Sequence, residues 1–165
     1  MLTALLTAVA VVFHRVSAID GLCVGTTIGL VTGFINATTP NVVQFLGIPF
    51  AEPPVGSLRW EAPVVKIPVD GNIDASHFSP SCPQLTVLAS SNTIAQFFIS
   101  GPMSEDCLTL NIWAPADGSG PNATKLPVIV WIYGGGFISG GGQIEYLIPA
   151  QWIQRDQSHI VVGIK

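Results

Sequence analysis

The chain has 165 residues, of which 48% are hydrophobic and only 10% charged, and its formal net charge is −4. That length suits about one domain, and a charged share well under the roughly 25% of an average soluble domain means an exposed surface that is small or partly covered by something else. No Lys/Arg cluster occurs, which excludes a nucleic-acid footprint. His14, His77 and His159 are far apart and no C-x-x-C pair is present, so no metal site is expected.

The first elements are processing signals. Leu2 to Phe13 is almost wholly apolar, and Val16-Ser17-Ala18 supplies small residues for cleavage, so residues 1–18 read as a secretory signal peptide and residues 19–165 as the mature chain. The stretch is too short for a membrane span, which needs about 20 apolar residues. Two sequons, Asn36-Ala37-Thr38 and Asn122-Ala123-Thr124, fit a secreted chain and mark Asn36 and Asn122 as glycosylation candidates. Three cysteines, Cys23, Cys82 and Cys107, leave one without a partner after pairing.

Val24 to Ile48 alternates apolar stretches with Gly, Thr and Asn, which predicts short antiparallel strands with turns at Gly29, Gly33 and Pro40-Asn41. Pro49, Pro53 and Pro54 then exclude helix and strand interior, leaving an extended loop. Pro63 and Pro68 keep the next stretch irregular, and Ser79 to Gly101 is a polar excursion whose middle has room for a short helix. Leu108, Leu110 and Ile112 alternate with Thr109, Asn111 and Trp113, a strand pattern. Asp117 to Lys125 is a turn-rich connector.

Val128 to Tyr133 is a continuous β-branched run of the kind buried on both faces of a parallel sheet, and Gly134-Gly135-Gly136 ends it. Ile144 to Gln157 predicts a helix with Pro149 in its first turn, and Ile160 to Ile164 another strand. Strand, glycine loop, helix and strand in succession make a βαβ unit. A buried parallel strand needs neighbours, so the chain is expected to continue beyond Lys165.

Three segments carry a resemblance. They are Phe45 to Trp60 (FLGIPFAEPPVGSLRW), Glu105 to Pro115 (EDCLTLNIWAP) and Pro127 to Phe137, closing on Tyr133-Gly134-Gly135-Gly136-Phe137. In order and spacing they resemble the type-B carboxylesterase/lipase family, which includes fungal lipases and cholinesterases, over roughly Gly21 to Lys165. The resemblance implies an α/β-hydrolase fold, here its N-terminal fragment, with antiparallel strands leading into a mostly parallel central sheet. It implies a serine-nucleophile hydrolase of uncharged esters or acylglycerols that needs no cofactor.

The glycine run has a physical reading beside the family one. Ester hydrolysis passes through an oxyanion, and backbone N–H groups aimed at it stabilise it; losing one such donor costs roughly 3–4 kcal/mol. Glycine allows close backbone approach and positive φ. By resemblance, Gly135 and Gly136 donate and Gly134 shapes the loop; on glycine content alone a plain turn fits as well. The resemblance also pairs Cys82 with Cys107 in a disulfide, leaving Cys23 over, and pairs Arg59 with Glu105 as a structural ion pair, with solvated surface charges as the alternative. Trp131, Trp113 and Phe137 read as core or pocket-wall aromatics. His159 reads as a capping or surface residue, because the family's catalytic histidine lies far downstream.

G-x-S-x-G, the nucleophile elbow, is absent; Gly136-Phe137-Ile138-Ser139-Gly140 has its serine one place late. Nucleophile, acid and histidine follow in that order in this fold, so all three are expected beyond Lys165, and the 165-residue chain alone is expected to be inactive. The alternatives are a non-catalytic adhesion or binding relative, an inactive pseudogene product, and a small secreted binding module.

Overall fold

A computed structural model of the chain describes residues 22–85, 98–99, 101–117 and 125–165. Residues 1–18, expected to be a signal peptide, Asn122, and the middle of the Ser79–Gly101 excursion lie outside the described residues, as does most of the Asp117–Lys125 connector.

Val24 to Ile48 folds as the short strands its Gly, Thr and Asn punctuation predicts. Strands β1 (Cys23–Thr26) and β2 (Gly29–Thr32) form an antiparallel hairpin. Gly29 turns it with φ +130°, a value open to glycine. The Thr26 hydroxyl donates to the Gly29 carbonyl at 2.8 Å and closes the turn. At Gly33 the chain leaves this sheet and enters a larger one through β3 (Phe34–Ile35) and β4 (Val42–Pro49). The extended, Pro-rich segment follows; Ala51 forms an isolated bridge with Val65. Then β5 (Asn72–Asp74) returns to pair with β2 in parallel.

The larger sheet runs β3-β4-β6-β8-β7, where β6 is Thr109–Pro115, β7 Val128–Ile132 and β8 Ile160–Ile164. β4, β6 and β8 pair antiparallel, and β7 and β8 pair in parallel. Between β7 and β8 a short helix, α1 (Ala150–Arg155), completes the βαβ unit. It is shorter than the sequence suggests. Pro149 stands at its N-cap, where a missing N–H costs nothing, and the residues before it form only a 3-10 turn at Glu145–Leu147.

The large sheet is covered on both faces in its middle. Ile28, Val31 and Ala75 from the small sheet side pack with Val43, Phe45 and Ile48. Ala150 and Ile153 of α1 pack on the other side with Val42, Leu46, Trp113 and Val161. This explains why β4 is buried at nearly every position rather than at alternate ones. A bulge between Phe45 and Ile48 places Gly47 at φ +71°, where a Cβ would press on the His77 carbonyl at 2.8 Å.

The prediction for Val128 to Tyr133 divides. The strand and its parallel pairing are as expected, but it is not buried: Val128, Ile129, Val130 and Ile132 are all exposed, Ile132 by 73%. β7 is the edge strand of the described sheet, with one partner, and α1 lies over the β4–β6–β8 side instead.

Candidate functional site

The C-terminal ends of parallel β7 and β8 open on one cleft of about 550 Å³, lined by Gly134–Gly136, Pro83, Gln84 and Lys165 among others. Carboxyl ends of parallel strands are where open α/β sheets hold ligands. A second cavity of about 320 Å³ shares the glycine loop and adds Phe98, Ile99, Ile144 and Leu147. The loop therefore stands between two apolar recesses.

The loop's geometry is specific to glycine. Gly135 has φ +139° and Gly136 φ +62°. A Cβ at Gly135 would collide with the Ser139 carbonyl, whereas one at Gly136 would meet open space. The Gly135 carbonyl accepts from the N–H groups of Ile138 and Ser139, each at 3.2 Å. The N–H groups of Gly135 and Gly136 themselves donate to no acceptor among the described residues. Gly135 and Gly136 are exposed at the cleft, and successive backbone N–H groups left free in this way can seat an anion.

Phe137 continues the loop at φ +65° and is fully exposed. It lines the cleft but is no core residue, which narrows the sequence reading. Trp113 is core, with its indole N–H donating to Gln44 Oε1 at 3.1 Å. Trp131 is half-buried beside Gly163. His159 departs from its reading as a surface residue: it is 5% exposed, its ring 4.3 Å from that of Trp152, with Asp156 at 3.9 Å. The flat imidazole fills the space between α1 and β8, and Tyr133, not His159, borders the cleft.

The paired residues that the sequence singles out lie in other segments. Cys82 and Cys107 are joined by a disulfide with Cα atoms 5.2 Å apart, and Cys23 is free. Arg59 Nη2 lies 2.6 Å from Glu105 Oε2, with the two side chains 50% and 41% exposed. A pair that open to water contributes about 0.2–1 kcal/mol. Glu52, in the Pro-rich segment, accepts from the Ile67 N–H at 2.8 Å and from Lys66 Nζ at 3.0 Å, and these contacts hold its carboxyl below the ordinary carboxylate range. Asn36 is exposed, and its side-chain oxygen accepts from the Thr38 N–H and hydroxyl, both at 2.9 Å.

Three polar residues at the site carry no motif that sequence reasoning could use. Asn111, fully buried, accepts from the Gly47 N–H at 2.8 Å and donates to the Gly142 carbonyl at 3.3 Å, tying the β4 bulge to the segment after the loop. Its only signal is an inward polar position in an apolar strand. Lys165 Nζ donates to oxygens of Ser79, Pro80 and Gln143 at 2.7–3.1 Å. Burial pulls its ammonium down to about 8. Gln84 contacts Gly140 and Cys82. Among the described residues no group of His, Cys, Asp and Glu is arranged to hold a metal, and no helix is long and apolar enough to cross a membrane.

An apolar βαβ unit with a glycine loop at its strand ends is compatible with an α/β-hydrolase type of protein. Comparison with known proteins agrees: the profile of the carboxylesterase family matches residues 20–165, and the chain belongs to that family. It is 50% identical over 149 residues to a chlorogenic acid esterase of Aspergillus niger, covering 87% of this chain and 28% of that protein. To secreted lipase 5 of Gibberella zeae it is 35% identical over 158 residues, covering 87% and 30%. To the acetylcholinesterase of Electrophorus electricus it is 37% identical over 126 residues, covering 75% and 19%. The chain thus spans less than a third of the length of each of these relatives.

Proposed function

We propose that this chain is the N-terminal part of a secreted, serine-type carboxylic ester hydrolase and supplies its oxyanion loop. The observation that carries the reading is the pair of unpartnered N–H groups at Gly135 and Gly136, set in positive-φ backbone at the cleft. In the whole protein a serine hydroxyl beyond Lys165 attacks the ester carbonyl carbon while a histidine takes its proton. The carbonyl oxygen becomes an oxyanion and accepts from Gly135 and Gly136, with the residue after the serine as a further donor. The C–O bond to the alcohol then breaks, the histidine protonates the leaving alcohol, and water hydrolyses the acyl-enzyme.

Apolar recesses at Phe98, Ile99, Ile144 and Leu147 suit an uncharged ester or acylglycerol, and relatives named as esterase and lipase support that class. Secretion is supported by the apolar leader with its small-residue cleavage site and by a relative named as secreted. The exposed Asn36 sequon suits a glycan; for Asn122 the sequon alone speaks. Gly134 sets the loop's direction, and the Arg59–Glu105 pair steadies the Pro-rich segment.

The test is hydrolysis of a p-nitrophenyl ester by the whole secreted protein and by residues 19–165 alone. The whole protein is expected to turn over and the shorter chain to match background. An active shorter chain, or an inert whole protein, contradicts the proposal.

A further inference from the structure

We infer that Gln84 is a positioning residue for the glycine loop: its side-chain amide pairs with both backbone groups of Gly140 and thereby fixes the direction of the Gly135 and Gly136 N–H groups. The inference rests on the oxyanion reading of that loop.

The pairing is a two-point one. Gln84 Oε1 accepts from the Gly140 N–H at 2.7 Å, and Gln84 Nε2 donates to the Gly140 carbonyl at 2.8 Å. A residue of a neighbouring antiparallel strand would make the same two bonds with its own N–H and C=O. The second proton of Nε2 goes to the Cys82 carbonyl at 3.2 Å. One acceptor and two donors are used, and they fix which end of the amide is oxygen. Only a primary amide at this reach fits. A carboxylate keeps the acceptor but turns lone pairs toward two carbonyls, asparagine is one methylene short, and leucine offers neither group.

The clamp acts on the amides at 135 and 136 because the loop is closed at its neck. The Gly135 carbonyl accepts from Ser139 N–H at 3.2 Å, and Gly140 follows directly. Gly140 itself, at φ +125°, is so tight on the Gly134 carbonyl and the Tyr133 ring that a Cβ there would collide with both. Residues 134–135 and 139–140 therefore touch through their backbones, and a shift of Gly140 moves Gly135. Gln84 is in turn held near its own anchor, two residues after Cys82 in the disulfide to Cys107. Oxyanion donors act only when aimed at the developing charge, so a clamp on the neck is a clamp on their aim.

The experiment uses the whole secreted protein with Gln84→Leu and Gln84→Glu. Rates are normalised to active sites by titration, so that a smaller folded fraction does not count as slower chemistry. The expected result for Gln84→Leu is a kcat about tenfold to a hundredfold lower with KM within about twofold, because the lost interaction belongs to the transition state. Gln84→Glu is expected to be impaired at neutral pH and to regain activity relative to wild type as pH falls. The neutral carboxyl can again donate to a carbonyl, a rescue that a merely structural role would not produce. Hydrogen exchange of the Gly140 amide is the second readout, expected slow in wild type and fast in Gln84→Leu. If wild type shows no ester hydrolysis, the oxyanion reading has failed, and exchange at Gly140 still judges the clamp. Unchanged kcat in Gln84→Leu, absent acid rescue in Gln84→Glu, or unchanged Gly140 exchange would overturn the inference.

Discussion

Strands β4 and β7 are both apolar runs in one sheet, and they end in opposite environments. β4 lies between the small sheet and α1 and is buried almost throughout, while β7 forms the edge of the described sheet and exposes Val128, Val130 and Ile132. The polar groups divide the same way. In the β4–β6 region Thr39, Gln44 and Trp113 satisfy one another in a buried chain with bonds of 3.1 Å, whereas the loop after β7 keeps two N–H groups open. Closure marks one half of the described molecule; an open edge at β7 and free N–H groups in its loop mark the other.

The largest expected effect falls on the closed half. Trp113→Ala removes a side chain 1% exposed and strands Gln44, and denaturant melts of the whole protein are expected to show a loss of about 3–5 kcal/mol. A loss below about 1 kcal/mol would break the contrast between the regions. Next comes the staple between them. Replacing Cys82 and Cys107 together by Ser opens a crosslink spanning 25 residues, worth about 3–4 kcal/mol in the same melts.

How much of this was legible in the sequence follows the same divide. Strand periodicity and glycine and proline punctuation marked β1, β2, β4, β6, β7 and β8, because local backbone chemistry decides those. The composition of Val128–Tyr133 could not tell a buried strand from an exposed one, since burial depends on which layers cover it. A helix with Pro149 in its first turn was legible, but its start at Ala150 rather than Ile144 and its end at Arg155 were not. Gly134 to Gly136 stood out as a run, while Gln84 and Asn111 did not. Their roles arise from contacts across 56 and 64 residues of chain, and a lone Gln or Asn has no spacing to betray it. His159 reads as a capping or surface residue until Trp152, seven positions earlier, is seen packed against it with the rings tilted by 47°.

A smaller effect sharpens the picture of the open edge. Val130→Lys in the 165-residue chain changes a side chain 62% exposed, so folding stability is expected to move by no more than about 0.5 kcal/mol. Aggregation measured by light scattering is expected to drop, because a charge on an edge strand opposes pairing between copies. Unaltered scattering would mean that β7 is not the sticky element.

The smallest effect lies in the Pro-rich segment. The Ile67 N–H and then Lys66 hold the Glu52 carboxyl below its usual 4.5. A carboxyl depressed in the folded state stabilises above its unfolded value and loses that contribution as pH falls through the folded one. Acid melts should therefore show a slope below about pH 4.5 that Glu52→Gln flattens; identical slopes would remove Glu52 from the account.

The central claim is that the Gly135 and Gly136 amides hold an ester's oxyanion. It is tested most directly by a crystal structure of the whole protein with a phosphonate bound covalently to its nucleophile. The account predicts one phosphonate oxygen about 2.7–3.1 Å from both nitrogens. A phosphonate oxygen held by other donors, with both glycine amides facing solvent or water, would contradict it.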